Sequence, residues 1–169
     1  VMDLETRMLH CMMTLQGRSR EEATKRLFGN ADKPSEMEYL SAYVAGQSRG
    51  HAMAPGQGHP KEQASYELGK KLFFLRTGLW DFSCASCHGE EGKRIRMSDL
   101  PVLSKPEAAR PLMATWPAYR VSNSTFKTMQ WRMNNCFSQM RTPEPVFGSE
   151  LVNGLIMFLT VTAAGEPYR

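Results

Sequence analysis

Apolar residues recur at helical spacing along most of this chain, and clusters of Gly and Pro separate the runs. Met2, Leu4, Met8, Leu9, Met12 and Met13 predict a helix over residues 1–15, closed by Gly17. Ser19, followed by Glu21 and Glu22, opens a short helix over residues 19–28. Gly29, Asn30 and Pro34 mark a turn. Ser35 then starts a third helix, with Met37, Leu40, Tyr43 and Val44 on one face. Gly46, Gly50, Pro55, Gly56, Gly58 and Pro60 break the pattern over residues 45–60, which predicts a linker or an extended strap.

A second unit follows. Tyr66, Leu68, Leu72, Phe73 and Leu75 predict an amphipathic helix from Lys61 to Leu75. Gly89, Gly92 and the stretch from Pro101 to Pro111 predict loops, and Trp116, Pro117 and Tyr119 fall in an irregular aromatic segment. Residues Ser124 to Met140 predict a helix, Pro143 and Pro145 end it, and Ser149 with Glu150 starts a last helix running through Leu159. No strand is expected beyond short pairings.

The 169 residues are 41% hydrophobic and 22% charged, a globular balance rather than a disordered one. No apolar run approaches the ~18 residues of a membrane span, and the most apolar one, Leu151 to Val161, contains Asn153 and Gly154. The net charge of +4 favours anionic ligands mildly. Lys and Arg are dispersed and follow no reader motif, so nucleic acid is not an expected partner. The chain opens on Val1 without a basic-then-apolar leader, so an upstream piece is expected to be missing from it.

The chemistry concentrates at the cysteines. Cys11, Cys84, Cys87 and Cys136 are the four, and Cys84-Ala85-Ser86-Cys87-His88 is the C-x-x-C-H pattern of covalent haem c attachment. Two thiols one helical turn apart can add across the two vinyl groups of haem, and the following His can ligate the iron. A redox C-x-x-C would leave His88 unexplained, and a zinc site would want a second ligand pair that the chain lacks. Attachment of this kind belongs to an export-side compartment, most simply the bacterial periplasm.

The second axial ligand must lie downstream. Met113, Met129, Met133 and Met140 are candidates, and so is Cys136, 48 residues after His88. Cys136 could equally be a buried small residue or pair with Cys11. Arg132 sits one helical turn before Cys136 on the same face, and Arg141 follows five residues after it. A cation there would favour a thiolate and could hold a sulfur oxyanion through a bidentate fork. Trp116, Trp131 and Phe137 are expected to shield the site.

The second unit resembles a class I cytochrome c domain, with Gly69 and Phe73 where that family crosses its first and last helices. A partial repeat adds to this. Arg7-Met8-Leu9-His10-Cys11 parallels Arg132-Met133-Asn134-Asn135-Cys136, and each is followed by a Ser-Glu helix start, at Ser35 and at Ser149. The expected fold is therefore mainly α: a partial N-terminal cytochrome c-like domain over 1–45, a linker over 46–60, and a haem-binding domain over 61–169.

Three runs carry a more specific resemblance: Phe82 to Gly89, Gly92 to Arg96, and Trp116 to Ser122 continued by Thr128 to Phe137. With Asp3 to Arg7 near the start, they resemble the A-subunit family of the SoxAX cytochromes. The resemblance implies a periplasmic L-cysteine S-thiosulfotransferase that works as a heterodimer with the small cytochrome SoxX. That enzyme joins thiosulfate oxidatively to a cysteine of the SoxYZ carrier. It implies haem c anchored by Cys84 and Cys87, ligated by His88 and Cys136, with Cys136 able to carry an extra sulfur as a persulfide. Arg132 would hold the anionic substrate. Cys11 matches the distal position of the N-terminal domain, implying either a ligand to an upstream haem or half of a disulfide. Two other functions fit the haem motif: a thiosulfate dehydrogenase forming tetrathionate, whose chains usually carry two C-x-x-C-H motifs, and a plain electron-transfer cytochrome c with His/Met ligation.

Overall fold

The computed structural model describes residues 1–95 and 97–169, so Arg96 of the Gly92 to Arg96 run lies outside it. Side-chain caps start every described α-helix but Pro106–Met113. Asp3 accepts from the Thr6 amide at 2.8 Å and opens α1 (Leu4–Thr14). Ser19 and Glu22 form a reciprocal capping box at α2 (Arg20–Thr24), and Ser35 caps α3 (Glu36–Gln47). His59 caps α4 (Pro60–Phe74), whose first residue is the proline that this position tolerates. Then come α5 (Cys84–His88), the two-residue strands β1 (Arg94–Ile95) and β2 (Ser98–Asp99), and α6 (Pro106–Met113). A hairpin of β3 (Ala118–Arg120) and β4 (Thr125–Lys127) precedes α7 (Met129–Gln139) and α8 (Glu150–Thr162).

Helix α7 starts at Met129, not at Ser124. Thr125 and Lys127 are buried while Phe126 between them is not, the alternation of a strand, and β4 pairs with β3 through Arg120–Thr125 and Ala118–Lys127. Three residues are too few for that period to stand out in a sequence. Ser124 turns the hairpin with a positive φ of 50°, and Thr128 caps the helix. The 101–111 stretch holds α6, because Pro106 occupies its first turn. The last helix runs on to Thr162, three residues beyond Leu159.

Two apolar clusters form. The larger joins α4, α6, α7 and α8, with Phe73, Ala109, Met133, Leu155 and Phe158 deep inside. The Phe73 and Phe158 rings lie 5.2 Å apart at the α4–α8 crossing. Gly69 makes that crossing possible, since a Cβ there would sit 1.8 Å from the Gly154 carbonyl oxygen. The smaller cluster holds Leu9, Met12, Met37 and Phe147.

The predicted apolar face of α3 is not the one that is buried. Leu40, Tyr43 and Val44 are exposed, whereas Met37, Glu38 and Ser41 face inward. Glu38 is drawn in by two partners: its carboxylate meets Lys127 Nζ at 2.8 Å and accepts from the Gly29 amide at 2.9 Å. The 48–59 stretch is an extended strap. Gly50, His51 and Met53 exchange backbone hydrogen bonds with the C-terminal Gly165, Glu166 and Tyr168, and Met53 is buried.

Polar contacts tie the first 45 residues to the rest. The Asp3 amide donates to Asn153 Oδ1 at 2.7 Å, Arg20 donates to the Phe147 carbonyl at 2.9 Å, and Glu5 Oε2 accepts from the Gln130 amide at 3.0 Å. Glu5 is 3% exposed, and its other oxygen has no partner among the described residues. Burial, then the neighbouring Asp3 charge, pushes its carboxyl from 4.5 up to about 8. The folded chain therefore keeps a proton that the unfolded chain releases, and stability should fall as pH rises across that window. The slope should approach about 1.4 kcal/mol per pH unit at its steepest. Urea unfolding of Glu5→Gln against the parent at about pH 5 and about pH 8 checks this: the variant should lose most of the slope, and equal slopes would clear Glu5 of the effect.

Candidate functional site

Ser83 and Ser86 build the short helix that carries the C-x-x-C-H residues. Ser83 Oγ accepts from the Ser86 amide at 3.1 Å, and Ser86 Oγ accepts from the Ser83 amide at 3.0 Å. The box fixes one turn with Cys84 and Cys87 three residues apart, hence on neighbouring positions of one helix face. Gly89 ends it, and a Cβ there would meet the Ala85 carbonyl oxygen at 2.6 Å. His88 is fixed from two sides. Its Nδ1 lies 2.9 Å from the Pro101 carbonyl oxygen, and its own carbonyl accepts from the Leu103 amide at 3.0 Å. A neutral ring in this setting donates from Nδ1 to Pro101 and keeps Nε2 as a free electron pair. Burial holds the His88 pKa below its ordinary value, and the Arg132 charge adds to this against the Pro101 bond. A neutral imidazole with its second nitrogen oriented from behind is the form that ligates a metal.

Helix α7 closes the site from the other side. Cys136 is eight residues beyond the Thr128 cap, and Arg132 is one turn before it. All four cysteines are thiols, so Cys11 and Cys136 are not bonded to each other. Cys84, Cys87 and Cys136 feel one another's charge. Burial first, then Cys136, pushes the Cys84 thiol up to about 12. The Cys136 thiol is also raised, by burial, with Arg132 the strongest opposing influence and Arg120 a further one. The expected lowering of its pKa by Arg132 is thus outweighed by burial in the chain alone. Coordination to a metal would reverse that, because a coordinating thiol is deprotonated.

Cys84, Cys87, His88, Arg132 and Cys136 are therefore gathered in one place. Arg120 joins them, a residue singled out in the sequence only as part of the Trp116 to Ser122 run. Arg141 does not join them: it is exposed and lies 5.6 Å over the Trp80 ring. Met113, Met129, Met133 and Met140 are all buried in the larger apolar cluster. Phe137 is in that cluster and Trp116 packs on it, while the Trp131 ring faces Lys127 at 5.3 Å. A cavity of about 450 Å³ opens between α1, α3 and α8, and it holds none of the cysteines.

The donor set suits haem c. It offers two thiols at attachment spacing, an imidazole with a bound Nδ1, a third sulfur on α7 that feels the charge of the first two, and an apolar surround. A mainly helical chain with this site packed against the core of a Gly-crossed helix pair defines a cytochrome c-like protein. Residues 1–53 match the family model described as SoxA/TsdA, cytochrome c domain. The chain is 45% identical over 165 residues to the L-cysteine S-thiosulfotransferase subunit SoxA of Hydrogenophilus thermoluteolus, covering 98% of this chain and 60% of that protein. It is 35% identical over 170 residues to the SoxA subunit of Hydrogenobacter thermophilus, covering 100% of this chain and 62% of the relative. Its fold matches the crystal structure of SoxXA from P. pantotrophus with a TM-score of 0.79 at 22% identity, over 99% of this chain and 57% of that one. The chain is thus similar to SoxA subunits along almost all of its own length, and it spans about 60% of the length of the curated relatives it matches.

Proposed function

We propose that this chain is the haem-bearing part of a periplasmic L-cysteine S-thiosulfotransferase, and that it conjugates thiosulfate to a cysteine of the SoxYZ carrier. The observation that carries the reading is the meeting of Cys136 and Arg132 with the C-x-x-C-H helix. Cys84 and Cys87 would anchor haem c through thioethers, and His88 and Cys136 would hold its iron. Bound there, haem c would supply one-electron acceptance and a thiolate-ligated, low-potential iron. The chain's own groups do the rest. Arg132 holds the thiosulfate dianion beside the Cys136 sulfur. The carrier's thiol and the outer sulfur of thiosulfate form a new S–S bond, with release of one proton and two electrons, which leave to the partner cytochrome SoxX in a heterodimer. In a two-step form, Cys136 first makes the S–S bond to thiosulfate with loss of that proton and those two electrons, and the carrier's thiol then displaces the Cys136 sulfur by exchange. Residues 1–45 would be the end of an N-terminal cytochrome c-like domain, 46–60 the linker, and 61–169 the haem domain.

Peptide mass spectrometry of the haem-loaded protein, without reductant, tests the reading. An added sulfur on the Cys136 peptide, or a thiosulfate adduct after substrate exposure, supports it. An unmodified thiol in both conditions, with haem on Cys84 and Cys87, would replace it with an electron-transfer cytochrome. Arg132→Ala should cut turnover at least tenfold, about 1.4 kcal/mol of lost stabilisation, with the haem spectrum unchanged. Wild-type turnover in that variant would remove Arg132 from the scheme.

A further inference from the structure

Arginines on the surface of this protein are commonplace; half-buried ones are not. Among the described residues only Arg18, Arg120 and Arg132 are half-buried, and Arg18 is neutralised by Glu36 at 2.8 Å. Arg120 and Arg132 have no acidic partner among the described residues. The sequence around them explains why. Residues 108–143 contain no Asp or Glu, yet they hold Arg110, Arg120, Lys127, Arg132 and Arg141. Arg110 and Arg141 are exposed, and Lys127 is paired with Glu38. Two uncompensated guanidinium groups are left, partly withdrawn from water, one on β3 and one on α7.

They come from different elements. Arg132 is on α7, with one guanidinium nitrogen donating to Asn135 Oδ1 at 3.1 Å. Arg120 ends β3, opposite Thr125 in the hairpin that leads into α7. Holding two like charges half-buried without counter-ions is costly, and a chain that does so offers a place for an anion. Both charges act on the sulfur of Cys136. Tyr119 and Val121, on either side of Arg120, are exposed, so the hairpin edge is open to solvent while the arginine between them is turned inward.

We propose that Arg120 is the second arm of a two-arginine clamp with Arg132, built for a doubly charged sulfur oxyanion lying against Cys136. This rests on the proposed function and deepens it: the clamp makes the site selective for a dianion and fixes its oxyanion end, leaving the terminal sulfur toward the incoming thiol. One guanidinium fork satisfies two oxygens, so two forks from α7 and β3 can grip three oxygens of a tetrahedral group from two directions.

Isothermal titration calorimetry of sodium thiosulfate into the full-length, haem-loaded, oxidised complex tests this in the absence of carrier. Arg120→Met keeps the aliphatic stem and should weaken binding tenfold to a hundredfold, as a lost charge-assisted bond does. Arg120→Lys restores the charge and should recover at least a third of the affinity. In steady state the thiosulfate KM should rise in Arg120→Met while the carrier KM stays unchanged. If Arg132→Met loses binding and Arg120→Met retains it within twofold, Arg120 is not an arm of the site and the proposed function stands. If Arg120→Lys binds no better than Arg120→Met, the charge is not what matters and the clamp is overturned. Failure of the parent complex to bind thiosulfate, or binding indifferent to Arg132→Met, overturns the underlying reading together with the clamp.

Discussion

Gly69→Ala should destabilise the chain by about 3 kcal/mol or more, although alanine is the better helix former by about 1 kcal/mol. The reason is in the crossing of α4 and α8. A Cβ at Gly69 falls 1.8 Å from the Gly154 carbonyl oxygen and 2.3 Å from its carbon. These are backbone atoms in mid-helix and cannot swing aside as a side chain would. The helices must separate, and the Phe73–Phe158 contact with the surrounding cluster must loosen with them. The reciprocal variant is the control. A Cβ at Gly154 would meet the Ser65 carbonyl oxygen at 3.2 Å and the Gly69 nitrogen at 3.3 Å, which a few tenths of an ångström relieve. Gly154→Ala should cost no more than about 1 kcal/mol. Thermal unfolding of the two variants side by side checks the asymmetry, and equal stabilities would mean that the crossing is not close-packed as described.

That crossing was legible in the sequence through the resemblance to a class I cytochrome c domain, which puts Gly69 and Phe73 where its first and last helices meet. The caps were legible for the same kind of reason: Ser19, Ser35 and Ser149 each precede an acidic residue and an apolar period, and each caps a helix. The C-x-x-C-H motif and Arg132 with Cys136 were visible as spacings, and the fold brings the two groups together across α5 and α7. What escaped was set by tertiary partners. Helix α3 buries Glu38 and exposes Tyr43, which no pattern of hydrophobicity predicts. The β3–β4 hairpin is three residues a side, shorter than any window in which alternation can be counted. Arg120 looked like any surface arginine, and only the pairing of strands and the absence of acids around it single it out.

The second large effect is expected at Glu38 and Lys127. Removing either partner should cost about 3–5 kcal/mol, far more than any of the surface ion pairs. Both side chains are sealed from water, at 0% and 2% exposure, with Nζ 2.8 Å from the carboxylate. Lys127 also donates to the Gly29 carbonyl and lies 5.3 Å over the Trp131 ring, while Glu38 accepts from the Gly29 amide. Glu38→Met therefore leaves an ammonium with a carbonyl and a π face but no counter-charge; Lys127→Met leaves a carboxylate with one amide. The double variant Glu38→Met with Lys127→Met removes both charges and should recover most of the loss, since the cost lies in the orphaned charge. Urea unfolding of the four proteins gives the coupling directly. Additive losses would show that the two groups are stabilised separately, by Gly29 and Trp131, rather than by each other. The pair matters beyond its energy. Lys127 is the residue before the Thr128 cap, so it joins α3 to the start of the helix that holds Arg132 and Cys136. If that link positions the helix, the proposed function expects Lys127→Met also to weaken thiosulfate binding in the haem-loaded complex under conditions where it remains folded. The double variant, still without the link, should then stay weak in binding while regaining stability, and binding that recovers along with stability would reduce the pair to a purely structural role.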